Sequence, residues 1–149
     1  MKALLVCSTG GHLAQLYQLR PWWEQQERTW VTFAHPQADS LLRGEHVIAA
    51  HAPTTRNIPN AVRNLLLAIK VTRAERPDVV ISDGAGVAFP FFLVAKLLGV
   101  RTVYLEVYDR ISRSTMTGRL CYPISDLFLL QWPEQAAHYP RGQLIGCLL

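Results

Sequence analysis

Charge is scarce in this sequence. Asp, Glu, Lys and Arg make up only 17% of it, while hydrophobic residues make up half. Disorder needs the opposite balance and is excluded. Cysteine is scarce too: Cys7, Cys121 and Cys147 stand far apart, an odd number with no CxxC pair. That argues against a disulfide framework and a structural zinc site, and it makes a reducing, cytosolic compartment the default. No apolar run approaches the ~20 residues of a spanning helix. The longest uncharged one, Gly84 to Ala95, stops at Lys96. No secretory signal and no polybasic tail are visible, and the net charge of +4 is mild. Composition therefore gives no argument for a nucleic-acid partner. A Walker A loop, a GxSxG elbow, a DxD pair and a GxGxxG turn with its acidic partner are all missing.

What the sequence has is alternation of short apolar runs with helical patterns. Its 149 residues suit one domain spanning 1–149. Strands are predicted at Lys2–Cys7, Thr29–Ala34, Val47–His51, Asp78–Ser82, Arg101–Val107 and Asp126–Gln131, with a seventh at Gln143–Gly146. Between them lie helical stretches: His12–Leu19, ended or kinked by Pro21; Pro36–Arg43; a helix capped by Asn60 and running to about Arg76; and Val87–Leu98, closed by Gly99. A single helical turn is expected at Gly118–Tyr122. Strand, glycine turn and helix in this order mean βαβ units. The expected fold class is α/β, with a Rossmann-like, mainly parallel sheet flanked by helices. Ligands of such sheets sit at the carboxyl ends of the strands. That places Ser8–His12, Ser82–Gly86 and Glu106–Arg119 on one edge.

Each segment has a chemical reading and a plain one. Ser8, Thr9, Gly10 and Gly11 form a turn whose glycines admit a ligand to the backbone, and the helix start beyond them favours an anion; an ordinary βα turn looks the same. His12 at that helix start is a candidate general base, kept neutral by the helix N-terminus, or a capping or surface histidine. Asp83, Gly84 and Gly86 repeat the turn after the fourth strand. Asp83 there binds a sugar hydroxyl or caps the next helix. Glu106 is followed by Arg110, Arg113 and Arg119, a set that suits a diphosphate or a solvated loop. The Val87–Leu98 helix, apolar all round, is either core or lipid- or partner-facing. Arg20, Trp22 and Trp23 suit a membrane interface or ordinary packing.

Taken in order, Cys7-Ser8-Thr9-Gly10-Gly11-His12-Leu13, Ser82-Asp83-Gly84-Ala85-Gly86-Val87-Ala88-Phe89-Pro90, Lys96-Leu97-Leu98-Gly99, Tyr104-Leu105-Glu106-Val107 and Gln131-Trp132-Pro133-Glu134 resemble the PssD-type bacterial polysaccharide proteins. These are related to the membrane-recruiting subunit of the eukaryotic dolichol-linked N-acetylglucosaminyl transferase, and more distantly to MurG. The resemblance implies the N-terminal, acceptor-binding half of a GT-B glycosyltransferase that is inverting, metal-independent and without a cofactor. It implies a PssE-like partner chain that binds most of the UDP-sugar. It implies a polyprenyl-diphosphate-linked sugar as acceptor. Relatives carry an N-terminal hydrophobic anchor, whereas this sequence begins directly with strand one, so the expected location is cytoplasmic, peripheral on the inner face of the cytoplasmic membrane. On this reading Gly10, Gly11, Arg110, Arg113 and Arg119 receive the diphosphate, and His12 or Glu106 is the base. The competing reading is a non-catalytic anchor that activates a partner holding every catalytic residue.

Overall fold

The computed structural model describes residues 1–148. In chain order it runs β1 (Lys2–Val6), α1 (Gly11–Tyr17), α2 (Arg20–Trp23), β2 (Glu27–Thr32), α3 (Pro36–Leu41), β3 (Val47–Ala49) and α4 (Ile58–Glu75). It continues through β4 (Val79–Ser82), α5 (Ala88–Leu97), β5 (Arg101–Leu105), α6 (Met116–Cys121), β6 (Leu127–Leu130) and β7 (Gln143–Leu144). The strands form one seven-stranded sheet in the order β3-β2-β1-β4-β5-β6-β7. Every pairing is parallel, so the α/β, Rossmann-like expectation holds and the sheet is wholly rather than mainly parallel. Short edge-to-edge steps build β1 to β3. The chain then returns to the centre through α4, its longest helix at 18 residues, and sets β4 beside β1. The order reverses there, and the segments beyond the carboxyl ends of β1 and β4 lead to opposite faces of the sheet, the place where such folds form a crevice.

The reversal also puts the helices on opposite faces, because parallel crossovers keep one hand. On one face α4, α5 and α6 pack on Leu4, Val6, Val80, Tyr104 and Phe128. On the other, α1, α2 and α3 pack on Ala3, Leu5, Trp30 and Val79. These helices reach only half the sheet. The rest of that face is an open apolar trough of about 950 Å³, with Val79, Ile81, Val103, Leu127 and Leu129 among its walls.

Three local expectations change. Asn57, not Asn60, caps α4: its Oδ1 accepts from the Asn60 N–H at 3.0 Å. Pro59 then falls in the first turn, where a missing N–H costs nothing. Pro21 ends no structure but opens α2, for the same reason. The third change concerns the surface. Helix α5 is core: Ala88, Pro90, Phe91, Phe92, Val94 and Ala95 are buried between the sheet and α4. Trp23 is buried too, edge-on to Trp30 and Tyr17 with the Arg28 guanidinium over it. Only Trp22 of the aromatic cluster reaches solvent. Among the described residues no helix is long and apolar enough to cross a membrane.

Candidate functional site

Strand register decides what meets at the crevice. Val6 pairs with Ser82 across β1 and β4, and Ser82 with Tyr104 across β4 and β5. The three segments that follow therefore leave the sheet side by side. They enclose a cleft of about 210 Å³ whose walls include His12, Ala85, Tyr104, Asp109, Arg110 and Thr115.

His12 lies against Asp83. Its Nδ1 is 3.1 Å from the Asp83 carbonyl oxygen and 3.5 Å from Asp83 Oδ1. Both are acceptors, so Nδ1 carries the proton and Nε2 keeps its lone pair. Burial opposes charge on the imidazole, yet the Asp83 carboxylate outweighs it, and the pKa is raised above its ordinary 6.5. A helix N-terminus alone would push it the opposite way. In a helix of seven residues that effect is small beside a carboxylate 3.5 Å away.

Asp83 is fully buried, and burial lifts its carboxyl to about 6. It neither reaches a sugar nor caps α5, whose start has no side-chain cap. Gln15 Nε2 donates to its Oδ2 at 3.1 Å.

Glu106 is fully buried as well, and it does not line the cleft. The Val107 N–H donates to its Oε1 at 3.0 Å, and the Thr115 hydroxyl stands 3.4 Å from both its oxygens. One carboxyl thus holds both ends of the loop between residues 107 and 115. Burial raises its pKa. Arg110, Arg113 and Arg119 do not offset it, because all three are exposed to solvent. Of the three, Arg110 alone lines the cleft.

The glycines divide into two kinds. Gly10 has φ +84° and open space above it, as has Gly11. At Gly84, φ +113°, an added Cβ would stand 2.7 Å from the Tyr104 hydroxyl, and at Gly86 it would meet Thr54 at 2.9 Å. Protein, not ligand, occupies the space at Gly84 and Gly86. The Gly10 N–H is also already engaged, donating to Gln37 Oε1 at 2.6 Å. Ser8 and Thr9 sit half-buried on the rim, with the Ser8 hydroxyl donating to the Thr9 carbonyl at 3.3 Å.

The family model for "Oligosaccharide biosynthesis protein Alg14 like" matches residues 46–148. The chain belongs to the Alg14-like family. Among curated relatives, the UDP-N-acetylglucosamine transferase subunit ALG14 of Eremothecium gossypii is 34% identical over 120 residues, covering 73% of this chain and 53% of that protein. The human subunit of the same name is 29% identical over 91 residues, covering 57% and 42%. This Alg14-like chain thus spans about half the length of the curated relatives it matches. Its fold is shared with MurG of Acinetobacter baumannii, at TM-score 0.73 and 16% identity over 90% of this chain and 43% of that one. It is shared equally with the UDP co-structure of Staphylococcus aureus MnaA, at TM-score 0.76 and 18% identity over 97% and 44%.

Sequence reasoning missed the glutamines of this Alg14-like site. Gln15, Gln131 and Gln135 are all buried and hydrogen-bonded around the cleft. A glutamine reads as a surface residue. The available signal was Gln15 itself, a polar residue two positions from Leu13 and one from Leu16 on a short helix packed against the sheet.

Proposed function

We propose that this chain is the acceptor-binding, membrane-recruiting subunit of a two-chain, PssD-type inverting glycosyltransferase. A PssE-like partner binds most of the UDP-sugar. The complex extends a polyprenyl-diphosphate-linked saccharide in polysaccharide biosynthesis, and it needs no metal. The observation that carries this reading is the His12–Asp83 pair at the crevice of an Alg14-like chain. Nε2 of His12 takes the proton of the acceptor hydroxyl, whose oxygen attacks the anomeric carbon as UDP departs. The imidazolium so formed is stabilised by the buried Asp83 carboxylate. Arg110 receives the acceptor diphosphate at the same cleft. Glu106 holds the loop and is not the base.

Two surfaces support the rest of the reading. Ile58, Val62 and Leu66 fall four residues apart on α4 and are 78%, 50% and 62% exposed. Arg56, Arg63 and Lys70 flank them. The stripe starts near the cleft, since Thr54 of the preceding loop fills the space over Gly86, next to Ala85 of the cleft wall. An apolar stripe with basic flanks suits an anionic lipid surface. This stripe replaces α5 and Trp22–Trp23 as the membrane face. The bare trough over β4, β5 and β6 is the surface for the partner chain.

The test is reconstitution. The chain with its partner, given UDP-N-acetylglucosamine and a polyprenyl-diphosphate-linked sugar, should transfer, and each chain alone should not. Turnover by this chain alone, or an inert complex, overturns the proposal. Flotation with anionic liposomes should weaken with salt and with Leu66→Glu, but not with Trp22→Ala.

A further inference from the structure

Gln15 stands between the two halves of the cleft, and its amide has one usable orientation. Oε1 accepts from the Tyr108 N–H at 3.0 Å and from Gln131 Nε2 at 2.7 Å. An NH₂ group turned that way would face two donors. Nε2 therefore points at Asp83 Oδ2, 3.1 Å away. Its neighbours are oriented by the same logic. Gln131 Oε1 accepts from the Leu148 N–H at 2.9 Å, leaving Nε2 for Gln15 and for the Glu106 carbonyl at 2.9 Å. Gln135 Oε1 accepts from the Gln131 N–H at 2.9 Å, and its Nε2 donates to the carbonyls of Val107 at 2.9 Å and Arg110 at 3.1 Å. Every amide is fixed by a backbone N–H, so the direction of the whole chain of bonds is determined.

A residue there for packing alone would be apolar, since burying an amide is costly unless all its groups are met. Gln15 is met on both sides, by Asp83 on one and by Tyr108 and Gln131 on the other. We infer that Gln15 is a positioning residue that joins the His12–Asp83 pair to the arginine-bearing loop after β5 and sets their separation. The loop backbone cannot slide along α1 without breaking the Tyr108 bond. The Asp83 carboxylate cannot turn from His12 without losing the Gln15 donor. Three other titratable groups act on this pair: Cys7 at the end of β1, Tyr104 of β5 and Asp109 of the loop. None of them bonds to both halves.

The catalytic consequence rests on the transferase reading, but the join itself does not, so the two are tested separately. Gln15→Met keeps the volume and removes both ends of the amide. In the folded chain, NMR should show the Asp83 carboxyl titrating about one pH unit higher, the size of one lost hydrogen bond to a charge. It should also show the Tyr108 amide exchanging about tenfold faster. A filler's replacement by Met would move neither. If either signal stays at its wild-type value, the inference is overturned, because the proposal is the connection of the two. Should Gln15→Met not fold, Gln15→Leu, which likewise removes both ends of the amide, carries the same expectation. In the assembled complex Gln15→Met should lower kcat through His12 and raise KM through Arg110. Both NMR shifts in a complex that shows no transfer would leave the join standing and remove the transferase reading.

Discussion

Asp83 and Glu106 are carboxyls at the ends of neighbouring strands, each fully buried and each raised in pKa by that burial. Their partners separate them. Asp83 faces an imidazole that opens onto the cleft, so its charge is coupled to a group that exchanges protons. Glu106 faces the Val107 N–H and the Thr115 hydroxyl, so its charge is used on the chain's own loop. Burial alone does not mark a carboxyl as catalytic. What decides its use is whether the bonding partner can reach a substrate.

The sharpest way to break this contrast is to remove the base. In the assembled complex His12→Ala should lower kcat by ~10²–10⁴, the usual worth of general base catalysis, while Glu106→Gln should leave kcat within a few fold. The reverse ranking in steady-state kinetics would exchange the two roles.

Next comes pH. Asp83 binds its proton more tightly folded than unfolded, so its contribution to stability falls as pH rises from 3.8 to about 6. That displacement is worth on the order of 3 kcal/mol. His12, also raised, adds stability below 6.5 that is lost as pH rises through its folded value. Asp83→Asn should remove the decline between pH 4 and 6 in urea melts. In the complex it should move the acid limb of kcat to lower pH, because His12 loses the charge that holds its proton.

Glu106→Ala orphans the Val107 N–H and the Thr115 hydroxyl and should cost about 1–3 kcal/mol. Glu106→Gln keeps an acceptor and should cost less. Equal losses in thermal denaturation would mean the carboxyl is not a clamp.

The smallest effect lies at the exposed arginines. Arg110→Ala should raise the acceptor KM several fold with kcat little changed, since it binds diphosphate in ground and transition state alike. Arg113→Ala and Arg119→Ala, outside the cleft, should raise it less.

Two helices show how far the residue pattern carries. In α5 the apolar residues lie on all sides, so the pattern is equally compatible with core and with lipid; packing against α4 and the sheet settles it as core. In α4 the same types of residue divide between the core, where Ala68 and Val71 lie, and an exposed stripe. A tally of hydrophobicity ranks the two helices in the wrong order for exposure. Which face of a helix is covered depends on the crossover that brings it to the sheet.

The βαβ alternation, the α/β class and the edge on which chemistry collects were legible in the residue pattern. These follow from local periodicity and from where the glycine turns fall relative to the strands. The partners within that edge were set by the assembly of the sheet. His12 and Asp83 are 71 residues apart and Gln15 and Gln131 are 116 apart. They meet because β4 inserts beside β1 and β5 beside β4, each in a particular register. Burial, and with it the upward drift of both carboxyls, belongs to that assembly too. A hydrogen bond needs two groups within about 3 Å, and no local pattern places residues that far apart in sequence to such a tolerance.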